Sequence, residues 1–166
     1  MNRLLVLDGG LSAELHFSLP KDTWTGGAVT AHPASLRDAH TRYYEAGANI
    51  VETATYQLHS PTNCTEKELD EAIRIAKEAR DIHLADSFVT EPSPSTSSLP
   101  LMAPKPLKEL KIAASIGPYG AVCMNGSEYT GEYKISVEQL KEFHFSRLQY
   151  LDEAGILFVF SRCKIL

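Results

Sequence analysis

The sequence lacks any long apolar run, and this absence limits the classes of protein to which it can belong. No stretch is long enough to span a bilayer, and no apolar segment typical of a secretion signal precedes the first predicted strand. We therefore expect a cytoplasmic protein with no membrane partner. Basic residues are also few, since 16 Lys and Arg stand against 21 Asp and Glu, for a net charge of −5. This balance gives no electrostatic reason to expect nucleic acid as a partner.

Cysteine is scarce as well. The three cysteines, Cys64, Cys123 and Cys163, are widely spaced and odd in number. They form neither a disulfide framework nor a paired Cys-x-x-Cys metal motif. We therefore expect reduced thiols with structural roles.

The clearest positive signal is a run of four apolar residues, 4–7, followed by Asp8, Gly9 and Gly10. An uninterrupted apolar run of this length predicts a fully buried strand of a parallel sheet. Ligands of α/β proteins collect at the carboxyl ends of such strands, which makes Asp8 a candidate binding residue. The alternative is that Asp8 caps the helical turn that follows.

The rest of the chain alternates helices and strands. The patterns predict helices from near Pro33, from a capping box at Thr65 and from another at Ser136, and strands at 48–57, 111–116 and 156–160. The predicted buried faces carry Leu36, Ala39, Tyr43 and Ala46 in the first helix, Leu69, Ala72, Ile73, Ala76, Ala79 and Ile82 in the second, and Leu140, Phe143, Leu148 and Leu151 in the third. This alternation predicts an α/β fold with a parallel sheet. Four strands fit either part of an eight-stranded (β/α)8 barrel or a small open sheet.

One segment departs from this alternation. Residues 87–107 are rich in Pro and Ser and are predicted to form a flexible insertion within a single domain that spans residues 1–166. Residues 20–27 are predicted to form a loop that contains the only tryptophan, Trp24. Trp24 is interpreted either as a loop anchor or as a wall of a ligand pocket.

Four motifs together resemble the homocysteine S-methyltransferases. They are LDGGLS at residues 7–12, EAGA at 45–48 with TATYQ at 53–57, ASIGPYGA at 114–121 and GSEYTG at 126–131. The resemblance is to the branch that uses S-methylmethionine or S-adenosylmethionine rather than betaine. It covers the chain from Leu5 to about Gly155, apart from the insertion.

The resemblance implies a fold, a reaction and a cofactor. The fold is a (β/α)8 TIM barrel, of which this chain would supply about the first four βα units. The reaction moves a methyl group from a sulfonium donor to the sulfur of homocysteine and gives methionine. In the family, zinc held by three cysteines binds that sulfur, and the metal keeps the thiol as the nucleophilic thiolate.

The resemblance also implies substrate-binding roles at the ends of three strands. The residues are Asp8, Gly9, Thr53, Thr55, Tyr56, Gln57, Ser115, Gly117 and Tyr119. Other interpretations stay open for this region: packing for Thr53 and Thr55, a salt bridge for Glu52, and loop packing for Tyr129 and Tyr133.

The chain departs from the family pattern near its end. The zinc cysteines of the family lie near the ends of the sixth and eighth strands, and none of the three cysteines here matches them, so we assign no metal ligand and no catalytic residue. We expect a truncated product that is inactive alone, the alternative being a non-catalytic isoform that acts as a weak binding or interaction module. Because a half barrel leaves open sheet edges, we also expect self-association or a need for a partner half.

The missing cysteines lead to a first prediction. The isolated chain should bind less than stoichiometric zinc and should form no methionine from S-methylmethionine and homocysteine, because three thiolate ligands are needed to activate the acceptor. Metal analysis of the purified chain and a methionine-formation assay check this. Clear turnover would contradict it.

Overall fold

A computed structural model describes residues 4–15, 24–59, 64–89, 109–156 and 158–161 of the chain. The helices are α1 Leu11–Glu14, α2 Trp24–Ala31, α3 Pro33–Glu45, α4 Glu66–Val89, α5 Tyr119–Cys123, α6 Ser127–Thr130 and α7 Val137–Glu153. The strands are β1 Ile50–Glu52, β2 Lys111–Ile116 and β3 Phe158–Ser161. None of the described helices has the length and apolar character needed to cross a membrane.

The three strands form one parallel sheet in the order β1-β2-β3. Val51 pairs with Ile112, and Ala114 pairs with Val159. The prediction of a parallel sheet with intervening helices is therefore confirmed, and β2 occupies the predicted range. The strand predicted at 48–57 is shorter, because the backbone turns after Glu52 and residues 54–57 form a turn. The strand predicted at 156–160 is shifted slightly, to Phe158–Ser161.

Residues 4–7 lie alongside β1, but the prediction that they form a fully buried strand is wrong. Leu4, Leu5 and Val6 are 84%, 44% and 46% exposed. The segment makes a single parallel bridge, from Leu7 to Ile50. The physical reason is its position: it is the edge of the sheet, and the described residues cover it on one side only.

Local sequence signals explain where the helices begin and end. Pro33 occupies the first turn of α3. Gly47, which follows the end of that helix, has a φ of 107°. The capping box of α7 is complete, since Gln139 N donates to Ser136 Oγ at 3.2 Å and Ser136 N donates to Gln139 Oε1 at 2.9 Å. At the start of α4, Thr65 N donates to the Glu68 carboxylate at 2.7 Å, which is half of the predicted box.

The buried faces agree with prediction in α4 and less well in α3 and α7. In α4 the predicted residues are buried except Ile82, which is half-buried. In α3, Leu36 and Ala39 are buried as predicted. The other buried residues of this helix are His40 and Tyr44, not the predicted Tyr43 and Ala46. In α7, Phe143 and Leu151 are buried, Leu140 is half-buried, Leu148 is exposed, and Arg147 is buried in its place.

Two predicted segment boundaries are wrong. Helix α4 continues to Val89, so residues 87–89 of the predicted insertion are helical, because the helical run extends past the change in composition. Residues 90–107 lie outside the described residues.

Helix α2 begins at Trp24, within the predicted loop 20–27, whose residues 20–23 lie outside the described part. The Trp24 side chain is also outside it, so both interpretations of Trp24 stay predictions.

The main core lies between the sheet and the helices. It contains Tyr44, Val51, Ile73, Ala76, Ile112, Ala114, Ile116, Leu151 and Ile156. Ile156 lies between α7 and β3, and the other residues come from α3, α4, α7, β1 and β2. Burying them fixes the strands against the helices. The strand ends that carry polar side chains are thereby held at one edge of the sheet.

His40 is a polar residue within this apolar interior. It lies in α3 and is 0% exposed, and neither ring nitrogen has a hydrogen-bond partner among the described residues. Burial lowers the pKa of its imidazole to about 4. The ring is therefore neutral in the folded chain at neutral pH.

This burial predicts a stability change on acidification. Between pH 6.5 and about 4, His40 binds a proton in the unfolded chain but not in the folded chain. The free energy of unfolding therefore falls as pH falls, by about 1.4 kcal/mol per pH unit at most. His40→Leu should make this part of the profile less steep, while His59 and His144, whose pKa values are also lowered, still contribute to the slope. The same change at the exposed His32 should leave it intact. Urea unfolding from pH 7 to pH 4 measures the slopes, and identical slopes in the two variants would contradict the account.

Candidate functional site

A cleft of about 250 Å³ lies at the carboxyl ends of β1 and β2. It is lined by Gly9, Gly10, Leu11, Ser12, Thr25, Glu52, Thr53, Tyr56, Gln57, Ser115, Glu128 and Tyr129. Five of the nine residues predicted to bind substrate are in this set: Gly9, Thr53, Tyr56, Gln57 and Ser115. The cleft is small for a ligand pocket and suits a molecule of amino-acid size.

Asp8 lies beside the cleft rather than in its lining. Its side chain is buried, and its Oδ2 accepts a hydrogen bond from the backbone N–H of Glu52 at 2.9 Å. Its own N–H donates to the carbonyl of Ile50 at 2.9 Å. The alternative that Asp8 caps the next helix is wrong, because Gly10 is the N-cap of α1 and no side chain caps it. Asp8 therefore ties the segment before the cleft to the end of β1.

Glu52 and Ser115 connect the ends of two neighbouring strands. Ser115 Oγ donates to Glu52 Oε2 at 2.8 Å, and both side chains are buried. The cleft receives a second carboxylate from Glu128, near the start of α6. None of the described residues that line the cleft is basic. The lining therefore favours a ligand with a cationic group.

Two threonine hydroxyls extend this polar network. Thr53 Oγ1 and Thr55 Oγ1 are 2.7 Å apart, so the two hydroxyls are hydrogen-bonded to each other. Thr55 Oγ1 donates to the carbonyl of Ser115 at 2.9 Å, and Ser115 N donates to Thr53 Oγ1 at 3.3 Å. Thr53 lines the cleft while Thr55 lies outside its lining, so Thr55 acts on the site through its neighbours.

Gly9 permits a close contact at the cleft edge. A Cβ at this position would lie 3.0 Å from Tyr43 Oη. The same hydroxyl donates to the carbonyl of Gly10 at 3.0 Å. A side chain at position 9 would therefore displace the tyrosine that fixes this turn.

Gly117 and Tyr119 lie outside the cleft lining, and their predicted role in substrate binding stays a prediction. A Cβ on Gly117 would collide with the carbonyl oxygen of Tyr56, to which the Gly117 N–H donates at 3.1 Å. Tyr119 packs edge-on against Phe143 and Tyr133, with ring centroids 5.1 and 5.6 Å away. Both residues support the loops around the cleft in this structure.

Arg147, like Glu128, is a residue of this region that was not predicted from the sequence. It is buried in α7, and its guanidinium donates to the carbonyls of Gly117 at 2.9 Å, Thr55 at 3.0 Å and Tyr56 at 3.3 Å. These carbonyls belong to the segments that follow β1 and β2, so one side chain holds both. Its signal in the sequence is its spacing, four residues after Phe143 and four before Leu151 on the buried stripe of α7.

Two histidines lie near Arg147. The His59 ring stacks on Phe143 with centroids 4.1 Å apart. Burial, followed by the charge of Arg147, lowers the pKa of His59 and of His144. Both rings are therefore less easily protonated than free histidine, and they add little positive charge near the cleft at neutral pH.

The described residues do not fit the zinc site that the resemblance implies. No group of three or more His, Cys, Asp or Glu side chains within them is arranged to hold a metal ion. Cys64 is buried, and burial raises the pKa of its thiol to about 11, which disfavours the thiolate that zinc needs. Cys123 is exposed, and Cys163 lies outside the described residues.

Comparison with known proteins identifies the family. A family model described as homocysteine S-methyltransferase matches residues 5–161. The chain therefore belongs to the homocysteine S-methyltransferase family. The match extends to residue 161, so the expectation that the resemblance ends near Gly155 is wrong.

Two curated relatives and one solved structure show how much of a family member is present. The chain is 34% identical to the homocysteine S-methyltransferase of Escherichia coli K12 over 164 residues, which cover 92% of the chain and 47% of the relative. It is 38% identical to homocysteine S-methyltransferase YbgG of Bacillus subtilis over 158 residues, with the same coverage. The metallated form of the homocysteine methyltransferase MmuM from E. coli superposes with a TM-score of 0.73 at 30% identity, covering 95% of this chain and 53% of that one. The chain spans about half the length of the relatives it matches.

The contacts of Arg147 predict a large stability effect. Arg147→Met should lower the free energy of unfolding by about 2–4 kcal/mol, because three carbonyls lose a charged donor. Arg42→Met is a matched control, since Arg42 also donates to a backbone carbonyl, that of Glu14, but is partly exposed. The control should cost about 1 kcal/mol or less. Urea unfolding at pH 7 measures the free energy of unfolding of both variants. Equal losses in the two variants would contradict the prediction that the contacts of Arg147 are the more stabilising.

Proposed function

We propose that this chain forms the amino-terminal part of a (β/α)8 homocysteine S-methyltransferase that uses S-methylmethionine or S-adenosylmethionine as methyl donor. The observation that carries the proposal is the cleft at the carboxyl ends of β1 and β2, in a chain whose family match spans residues 5–161. In barrel enzymes of this kind the active site lies at the carboxyl ends of the strands.

The charge of the cleft supports this substrate class. Homocysteine carries an ammonium group, and a sulfonium donor carries a positive charge at the reacting sulfur. The carboxylates of Glu52 and Glu128 line the cleft, and the hydroxyl of Ser115 donates a hydrogen bond to Glu52. A carboxylate bonded to a cationic group is among the stronger polar contacts available to a small ligand.

The chemistry required of these residues is positioning. The homocysteine thiolate attacks the methyl carbon, a new S–CH3 bond forms, and the donor's S–CH3 bond breaks with its electron pair left on the donor sulfur. Such an in-line displacement depends on holding the two sulfurs and the carbon in one line. Asp8 and Ser115 hold Glu52 by hydrogen bonds, which gives the cleft a fixed wall against which a ligand can be oriented. Formation of the thiolate is not assigned to any described residue.

A second candidate function is a non-catalytic module that binds ligands weakly or pairs with another chain. The two described thiols, those of Cys64 and Cys123, belong to no group of side chains arranged to hold a metal ion, and a module of this kind needs none. The two candidates are distinguished by ligand binding. Homocysteine binding that depends on Glu52 supports the methyltransferase proposal, whereas weak binding that does not depend on Glu52, or no binding, supports the non-catalytic module.

Calorimetric titration of L-homocysteine under reducing conditions, and of S-methylmethionine in parallel, tests the proposal. We expect weak, saturable binding that Glu52→Gln reduces by about tenfold or more, because the change removes a charge that contacts a cation. Glu138→Gln, on the exposed first turn of α7, is the matched control and should bind as the unchanged chain does. Thermal unfolding confirms that each variant is folded. No binding at millimolar ligand, or equal affinity in the two variants, would count against the methyltransferase proposal.

A further inference from the structure

One wall of the cleft does not come from a strand end. Helix α6, Ser127–Thr130, contributes Glu128 and Tyr129 to the lining. The helix lies close against α5, because a Cβ on Gly120 would collide with the backbone N of Glu128. The N–H of Tyr129 donates to the carbonyl of Gly126 at 3.1 Å. These contacts hold the two side chains at a defined place beside the cleft.

Tyr129 presents an aromatic ring that is not used for packing. The residue lines the cleft and is 82% exposed. Tyr133, two residues after α6, behaves differently, since its ring packs edge-on against Tyr119 with centroids 5.6 Å apart. Tyr129 has no ring contact and no hydroxyl hydrogen bond with another described residue. Its ring face is therefore available to a ligand in the cleft.

Tyr56 adds a second ring to the same lining. A Cβ on Gly117 would lie 3.1 Å from two atoms of the Tyr56 ring, so the missing side chain at position 117 makes room for it. The residue is half-buried, which leaves part of the ring in contact with the cleft. The cleft thus has one tyrosine from the segment after β1 and one from α6.

The carboxylate of Glu128 lies next to Tyr129 in the chain and lacks a cation. Its Oε2 is buried and has no hydrogen-bond partner among the described residues. The Oε2 of Glu52, in contrast, accepts from Ser115 Oγ at 2.8 Å. None of the described residues of the lining is basic, so nothing in that lining offsets the charge of Glu128. A cationic ligand would stabilise it.

A carboxylate beside aromatic rings suits a cation that carries methyl groups instead of N–H bonds. A sulfonium or a quaternary ammonium group donates no N–H hydrogen bond, and its charge is spread over carbons that pack on ring faces. We propose that Glu128, Tyr129 and Tyr56 form the subsite for the sulfonium group of the methyl donor. The choice of a sulfonium over a quaternary ammonium group rests on the proposed function. The subsite binds and orients the donor and takes no part in bond making.

Titration calorimetry of the full chain with S-methyl-L-methionine and with L-methionine tests the proposal. The two ligands differ only in the added methyl group and the positive charge that it creates. We expect the unchanged chain to prefer S-methylmethionine by about tenfold or more, because only this ligand brings a cation to the rings and the carboxylate. Glu128→Gln should reduce this preference by about fivefold and Tyr129→Leu by about threefold.

Two variants serve as matched controls. Tyr129→Phe keeps the ring and should keep the preference. Glu132→Gln removes an exposed carboxylate that follows α6 but does not line the cleft, and it should also keep the preference. Thermal unfolding checks that each variant is folded.

The outcomes separate this proposal from the proposed function. L-Homocysteine has no sulfonium, so Glu128→Gln should weaken its binding less than that of S-methylmethionine. Loss of the preference in Glu128→Gln and Tyr129→Leu supports the subsite, even if homocysteine binding does not depend on Glu52, which would count against the proposed function alone. Equal weakening of methionine and S-methylmethionine by Glu128→Gln would overturn the subsite, because it would place the carboxylate at the ammonium group that both ligands share. The subsite is also overturned if neither ligand binds at millimolar concentration, if the unchanged chain shows no preference, or if glycine betaine binds more tightly than S-methylmethionine.

Discussion

The guanidinium of Arg147 is the contact on which the shape of the cleft depends. It bonds to the carbonyls of Thr55, Tyr56 and Gly117, which belong to the segments that leave β1 and β2. A parallel sheet places strand ends at one edge, but it does not fix the loops beyond them. The arginine does so from α7, and thereby links the packing of a helix to the position of the side chains that line the cleft.

The elements that the sequence predicted well are those decided by local pattern. Helix α3 begins at Pro33, α7 begins with the Ser136 capping box, and β2 matches the predicted range of 111–116, because caps, periodicity and apolar runs act within a few residues. The burial of residues 4–7 could not be predicted in this way. Burial depends on what lies across the sheet edge, and the described residues leave that side uncovered.

The candidate site shows the same division. Motifs at strand ends led to Thr53 and Ser115, which line the cleft, but also to Gly117 and Tyr119, which support it from outside. The spacing of residues along a strand predicts on which face of the sheet a side chain lies, but it does not predict how far that side chain is from a cavity. Arg147 was not predicted because its partners are backbone carbonyls of other segments. The sequence of α7 shows an arginine on the apolar face of the helix but does not show which carbonyls surround it.

We propose that the cleft at the ends of β1 and β2 binds homocysteine, and backbone amide shifts on adding L-homocysteine test this proposal. Residue-resolved NMR of the reduced chain should show saturable shifts at Glu52, Thr53 and Ser115, whose positions border the cleft. The amides of α7 around Leu148 should not move. Absence of shifts at the strand ends at millimolar ligand, or shifts confined to another surface, would contradict the account.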